Sequence, residues 1–80
     1  MMTHSASPAR HGDTWGPWRY DADAQVLIYG SGTVRYRVDL DRCRTSPETM
    51  AWVRQVAGNS WATDADLGAL LRAILATALR

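Results

Sequence analysis

The chain has 80 residues, with nine basic and eight acidic side chains and a net charge of +1. That length predicts a single domain. The near-neutral balance argues against strong non-specific nucleic-acid binding, which needs several uncompensated phosphate contacts, and against mimicry of DNA by acidic charge.

The one cysteine, Cys43, leaves no internal disulfide and no cysteine-based zinc site, so a reducing compartment is expected. No apolar run approaches the roughly 20 residues of a membrane span. The segment MMTHSASPARHGD lacks the apolar core of a secretory signal. The expectation is a cytoplasmic protein with no membrane partner. All nine basic residues are arginine. A high-GC genome favours Arg codons, and the guanidinium fork suits interfaces and carboxylate or phosphate pairing.

In chain order, residues 1–14 are aperiodic and rich in Ser, Ala, Pro and Gly, which predicts a disordered tail. His4 and His11 fall in it, and a flexible tail does not hold metal or catalytic geometry. Residues 15–80 are expected to form one domain. Trp18 and Tyr20 alternate around Arg19 after Gly16-Pro17, the pattern of a short edge strand. Its aromatics read more simply as core than as a base-stacking platform. Asp21 to Ala24 is a polar turn. Gln25 to Tyr29 is a second apolar strand, with Val26 and Ile28 on one face and Leu27 and Tyr29 on the other. Gly30-Ser31-Gly32 supplies a tight hairpin connection.

Thr33 to Leu40 alternates strictly. Val34, Tyr36, Val38 and Leu40 are predicted to face inward, with Arg35, Arg37 and Asp39 outward. Thr45-Ser46-Pro47-Glu48 is a helix start: Thr45 or Ser46 caps, Pro47 fits the first turn and Glu48 closes a capping box. Met50, Val53, Val56 and Ala57 recur at helical spacing, with Trp52 on the flank, and Gly58-Asn59 predicts a left-handed cap. Trp61 is placed as a plug between the helices. Thr63-Asp64-Ala65-Asp66 starts a second helix. Leu67, Leu70, Leu71, Ile74, Leu75, Ala78 and Leu79 form its wide apolar stripe, to be buried on the sheet or against another copy. Gly68 inside that helix predicts close packing against the first. The fold class is α+β: a short antiparallel sheet of two or three strands followed by two α-helices packed on one face.

The sequence carries none of the HExxH, CxxC, GxSxG, P-loop or GxGxxG motifs. YGSGTV is a turn rather than a phosphate cradle. Asp39 and Asp41 resemble a catalytic carboxylate pair, but flanking Arg37, Arg42 and Arg44 keep both ionised. Cys43 has neighbouring arginines but no nearby base, so it reads as a packing residue. Neither a cofactor nor a metal nor an enzymatic role is expected. What remains is the charged row Arg35, Arg37, Asp39, Asp41, Arg42 and Arg44, with Arg54 on the polar side of the first helix. The row is either a solvated face of weak ion pairs or a partner-binding surface, because Arg is enriched in binding hot spots.

Three phrases carry a resemblance: Val38-Asp39-Leu40-Asp41-Arg42-Cys43 with Thr45 to Glu48, then Trp52 to Val56 with Trp61 to Thr63, then Leu67 to Leu71. Together they resemble a diffuse family of small proteins from phages and mobile elements of high-GC bacteria, over about half of the chain. That family usually has Lys before the second Trp, where Ser60 stands here. The resemblance implies an inhibitor of host defence, an anti-CRISPR protein that docks a type I CRISPR effector subunit and blocks DNA binding. Its partner would be a protein, with the chain a monomer or weak homodimer. Two other readings are a nucleic-acid-binding accessory protein using the Arg face and a dimerisation module using the second helix's Leu stripe.

Overall fold

The computed structural model describes residues 9–78. Four strands, β1 (Thr14–Trp15), β2 (Trp18–Asp21), β3 (Val26–Ser31) and β4 (Val34–Asp39), form an antiparallel meander in sequence order. A 3-10 turn (Leu40–Arg42) leads to α1 (Ser46–Ala57) and then α2 (Asp64–Thr77). The α+β class and the strand-then-helix order agree with the sequence. The sheet has one strand more than the upper expectation.

The extra strand comes from the segment expected to be a tail. Asp13 N–H donates to Arg10 C=O (2.9 Å) around Gly12 at φ +90°, the geometry of a type II turn. Gly12 N–H then donates to Tyr20 C=O, and Tyr20 N–H to Asp13 C=O, both at 2.8 Å. Two residues opposite one, the first a left-handed glycine, make a G1 bulge. Past the bulge, Thr14 pairs with Arg19 and Trp15 with Trp18. Residues 9–14 of the expected tail are therefore placed, because a turn and a bulge give their amides partners. Residues 1–8, with His4, lie outside the described residues, as does Leu79.

This moves β2 from the edge to the interior of the sheet. Pro17 sits in the two-residue β1–β2 turn behind Gly16, whose φ is +56°, as a II′ turn requires at its first position. The following loop is held by Asp21, whose carboxylate accepts from Asp23 N–H (3.0 Å) and Ala24 N–H (3.1 Å). Gln25 leaves the loop at φ +54°, and its amide donates to Ala22 C=O (2.7 Å) and the Tyr20 hydroxyl (3.2 Å). The β3–β4 connection is Gly32-Thr33. Gly30 stays in the strand opposite Arg35.

The alternation of β4 holds: Val38 and Leu40 are buried, Val34 and Tyr36 half-buried, and Arg35 and Arg37 exposed. One sheet face carries Trp18, Tyr20, Leu27, Tyr29 and Val38 into a core with Val56 of α1 and Ala69, Leu70, Ala73 and Ile74 of α2. Both helices therefore lie on that face. The α2 N-terminus is tied to the sheet at Asp66. Its C=O accepts from the fully buried Trp18 indole (3.0 Å), and its carboxylate accepts from the Tyr29 hydroxyl (3.1 Å). Asp66 also completes a capping box with Thr63. Trp61, expected between the helices, lies tilted against two tyrosines of the sheet, Tyr29 (centroids 4.2 Å) and Tyr36 (5.5 Å).

Four helical details differ from the sequence reading. The buried stripe of α1 centres on Thr49 and Val56, flanked by half-buried Trp52 and Val53, whereas Met50 is 52% exposed and Ala57 is exposed. Thr49 can sit inside because its hydroxyl donates to Thr45 C=O (2.9 Å) and Cys43 C=O (3.3 Å). The α1 C-terminus is not left-handed: Gly58 has φ −74°, and the Asn59 side-chain amide donates to Gln55 and Val56 C=O, both 3.2 Å. In α2, Leu71 and Leu75 stay exposed. A Cβ on Gly68 would meet only the Arg72 guanidinium at 3.6 Å, so close packing against α1 does not account for that glycine.

Candidate interaction face

With both helices packed on one side, most of the other face of the sheet is left uncovered, Trp52 of α1 bordering it beside Val26, Arg37 and Asp39, and strand register decides what stands on it. One cross-strand row runs Thr14, Arg19, Ile28, Arg37; the next runs Asp21, Val26, Asp39; Arg35 lies opposite Gly30. Directly opposed side chains in such rows sit about 5 Å apart. Ile28 is half-buried between two exposed arginines, and Val26 is buried between two aspartates. A depression of about 370 Å³ over this centre is bordered by Asp21, Ile28, Arg35 and Arg37, among others.

Of the six expected site residues, Arg35, Arg37 and Asp39 share this face. Asp41, Arg42 and Arg44 follow in and after the 3-10 turn and are engaged in local ion pairs, with Asp41 still bordering a depression beside Val26, Arg37 and Asp39. Arg44 meets Asp41 at 3.1 Å, and Arg42 reaches Asp39 at 4.0 Å. Asp39 also caps the 3-10 turn by accepting from Asp41 N–H (3.0 Å). The expected continuous Arg/Asp row thus divides. One part, from Asp39 to Arg44, is charge-paired structure. The other, Arg35 and Arg37, has no carboxylate within salt-bridge distance among the described residues. Arg35 is steadied by its own hairpin, donating to Gly32 C=O (3.0 Å) and Val34 C=O (2.8 Å). A Cβ on Gly30 would lie 3.7 Å from the guanidinium, an ordinary van der Waals contact, so that bend does not require glycine.

Arg19 and Ile28 are the site residues that the sequence reading missed. The alternation of Trp18 and Tyr20 already puts Arg19 outward, but only the register brings it beside Ile28 and Arg37. The result is a basic patch with an apolar centre: Arg19, Arg35 and Arg37 around Ile28. Its carboxylate border at Asp21 is held below the usual range. Ala24 N–H is the main cause, His11, Asp23 N–H and Arg19 add to it, and burial opposes.

Two other candidates lose their chemical meaning. Cys43 is fully buried, its thiol donates to Asp39 C=O (3.5 Å), and burial together with Asp39 and Glu48 pushes it up to about 11. It is a packing residue, not a thiolate. His11, Asp21 and Asp23 place donor atoms within 4.8 Å of one another. However, His11 Nδ1 accepts from Ala22 N–H (3.1 Å) and Asp21 already accepts two loop amides, so the group serves to hold the β2–β3 loop. No described helix is long and apolar enough to cross a membrane. Comparison with family models, with curated proteins and with solved structures returned no match.

Proposed function

We propose that this chain acts by binding a protein through the open face of its sheet, as a small inhibitor of phage or mobile-element origin. The observation that supports this reading is the Arg19–Ile28–Arg37 row with Arg35 beside it: an apolar centre ringed by arginines that form no ion pair within salt-bridge distance among the described residues. Such a patch matches the make-up of binding hot spots, a desolvated apolar contact with guanidinium groups free for bidentate pairing. Asp21 and Asp39 border it and would repel a phosphate backbone, which favours a protein over nucleic acid. The specific form of the proposal, inhibition of a type I CRISPR surveillance complex by occlusion of its DNA site, draws on the small size and mobile-element origin that the resemblance implies, and on none of the resembling residues in particular.

The test is capture of purified effector subunits by the immobilised chain, paired with phage plating on cells that carry the complex. Wild type should retain a subunit and rescue phage, and Arg19→Glu/Arg37→Glu should do neither while melting at the wild-type temperature. Absence of both retention and rescue with wild type would reject the inhibitor reading. Steeply salt-dependent binding to DNA in its place would support the accessory-protein alternative.

A further inference from the structure

We propose that the free edge of β4 takes up an extended segment of a partner protein in which acidic and apolar residues alternate. This rests on the protein-binding reading and names the partner's chemistry and mode of attachment. β4 is the last strand of the sheet. Leu40 N–H donates to Gln25 C=O at 3.0 Å, so at Leu40 the main chain addresses β3. Main-chain direction alternates along an antiparallel strand. The N–H and C=O of Arg35, Arg37 and Asp39 therefore point away from β3.

The Asp39 end of that edge is closed, because its C=O accepts from the Cys43 thiol at 3.5 Å and Cys43 is fully buried. The open stretch is Arg35 to Arg37. Among the described residues, no backbone hydrogen bond from outside the sheet reaches either of them. An added strand would lie about 4.8 Å away and bond to both.

Charge decides between occupants. In a second copy laid antiparallel so that both open residues bond, each Arg35 stands opposite an Arg37 of the other chain. Like charges directly opposed are destabilising, so the edge rejects its own copy. An acidic residue at the same place meets an arginine that has no carboxylate within salt-bridge distance among the described residues. On the other side of the strand, half-buried Tyr36 packs with half-buried Trp61 at 5.5 Å between centroids. The residue between two acids of the incoming segment points to that aromatic pair, which favours an apolar side chain there. The recognised pattern is acidic–apolar–acidic in extended conformation.

The experiment uses the full chain, labelled for amide NMR, and a short peptide of alternating Glu and Val. Two control peptides carry Lys in place of Glu, or N-methyl groups on the Glu amides. The Glu peptide should bind and slow hydrogen exchange at the Arg35 and Arg37 amides about tenfold. N-methylation should weaken it about tenfold, the effect of deleting a pair of main-chain hydrogen bonds. The Lys peptide should not bind. Equal binding of the Lys peptide, no binding of the Glu peptide at millimolar concentration, or binding with unchanged exchange at both amides would overturn the proposal. So would protection of these amides in a dimer of the free protein.

Arg37→Pro removes the outward N–H without cutting the β3 ladder, and Arg37→Gln separates the loss of charge. A captured effector subunit that binds Arg37→Pro and Arg37→Gln equally well would refute the edge while leaving the protein-binding reading intact.

Discussion

Asp66 shows how much one side chain can join in this small protein. Its backbone and carboxylate link Trp18, Tyr29 and the Thr63 cap, so helix start, strand and core meet at one residue. The glycines divide by what their space requires. Gly16 has φ +56°, and a Cβ there would lie 3.4 Å from Ala69 Cβ. Gly68 has only the movable Arg72 guanidinium near it. Gly68→Ala should therefore stabilise by about 0.4–1 kcal/mol, and Gly16→Ala should destabilise by about 1–2 kcal/mol, both read by urea denaturation. Cys43 sets a pH dependence. The folded chain holds its thiol proton up to about pH 11, whereas the unfolded thiol loses it near about pH 8.5. The folded state binds more protons between those values, so stability is full below that window and falls as pH rises through it. The Tyr29 hydroxyl, raised chiefly by burial, acts in the same direction as pH rises past the ordinary tyrosine value. Melting temperature against pH should show this alkaline decline, and Cys43→Ala should flatten it. Native Cys43 should resist alkylation at pH 8 and react once the protein is unfolded.

At the scale of elements, α1 separates pattern from burial. Its N-terminus was fully legible, because a capping box is local chemistry: Thr45 Oγ1 accepts from Glu48 N–H (3.3 Å), and Glu48 accepts from Thr45 N–H (3.1 Å). Its buried face was not legible. Met50 fits the apolar period as well as Thr49 fits a polar one, yet Thr49 is inside because the carbonyls of Thr45 and Cys43 satisfy its hydroxyl. Met50→Glu should change stability by less than about 0.5 kcal/mol, as at an ordinary surface position. Val56→Ala should cost about 2 kcal/mol, as for a truncated core side chain. Comparing their melting curves tests the observed helix face against the one inferred from hydropathy. The N-terminal turn makes a related point. His11, Gly12 and Asp13 look like linker composition, and their order follows from a bulge against Tyr20 that involves no apolar side chain.

At the scale of the molecule, placing both helices on one face leaves a basic patch on the other. Arg19, Arg35 and Arg37 stand on one face with only Asp21 and Asp39 at its border to offset them, an arrangement that adds little to stability and accords with the proposed partner surface. Arg19→Glu should leave the melting temperature unchanged or raise it, while weakening partner capture. A fall in melting temperature instead would assign the arginines a structural role. Exposed Leu71 and Leu75 (36% and 57%) remain from the expected α2 stripe. Leu75→Lys should leave the sedimentation behaviour monomeric. Conversion of a wild-type dimer to monomer by that change would place the interface on α2.

The sequence by itself determined what depends on near neighbours. The alternation of β4, the Thr45–Glu48 capping box and the strand-then-helix order are all read from residues a few positions apart. Only the tertiary structure decided what depends on register and on which side the helices lie. Strand pairing brought Arg19 and Ile28 beside Arg37, positions 9 and 18 residues apart along the chain. It also joined Thr14, and through a bulge Gly12 and Asp13, to the sheet. The course of the chain past Leu40 put Asp41, Arg42 and Arg44 in a paired corner beside that face. Periodicity assigns each side chain to a face of its own strand, whereas hydrogen bonding between strands decides which of those faces meet.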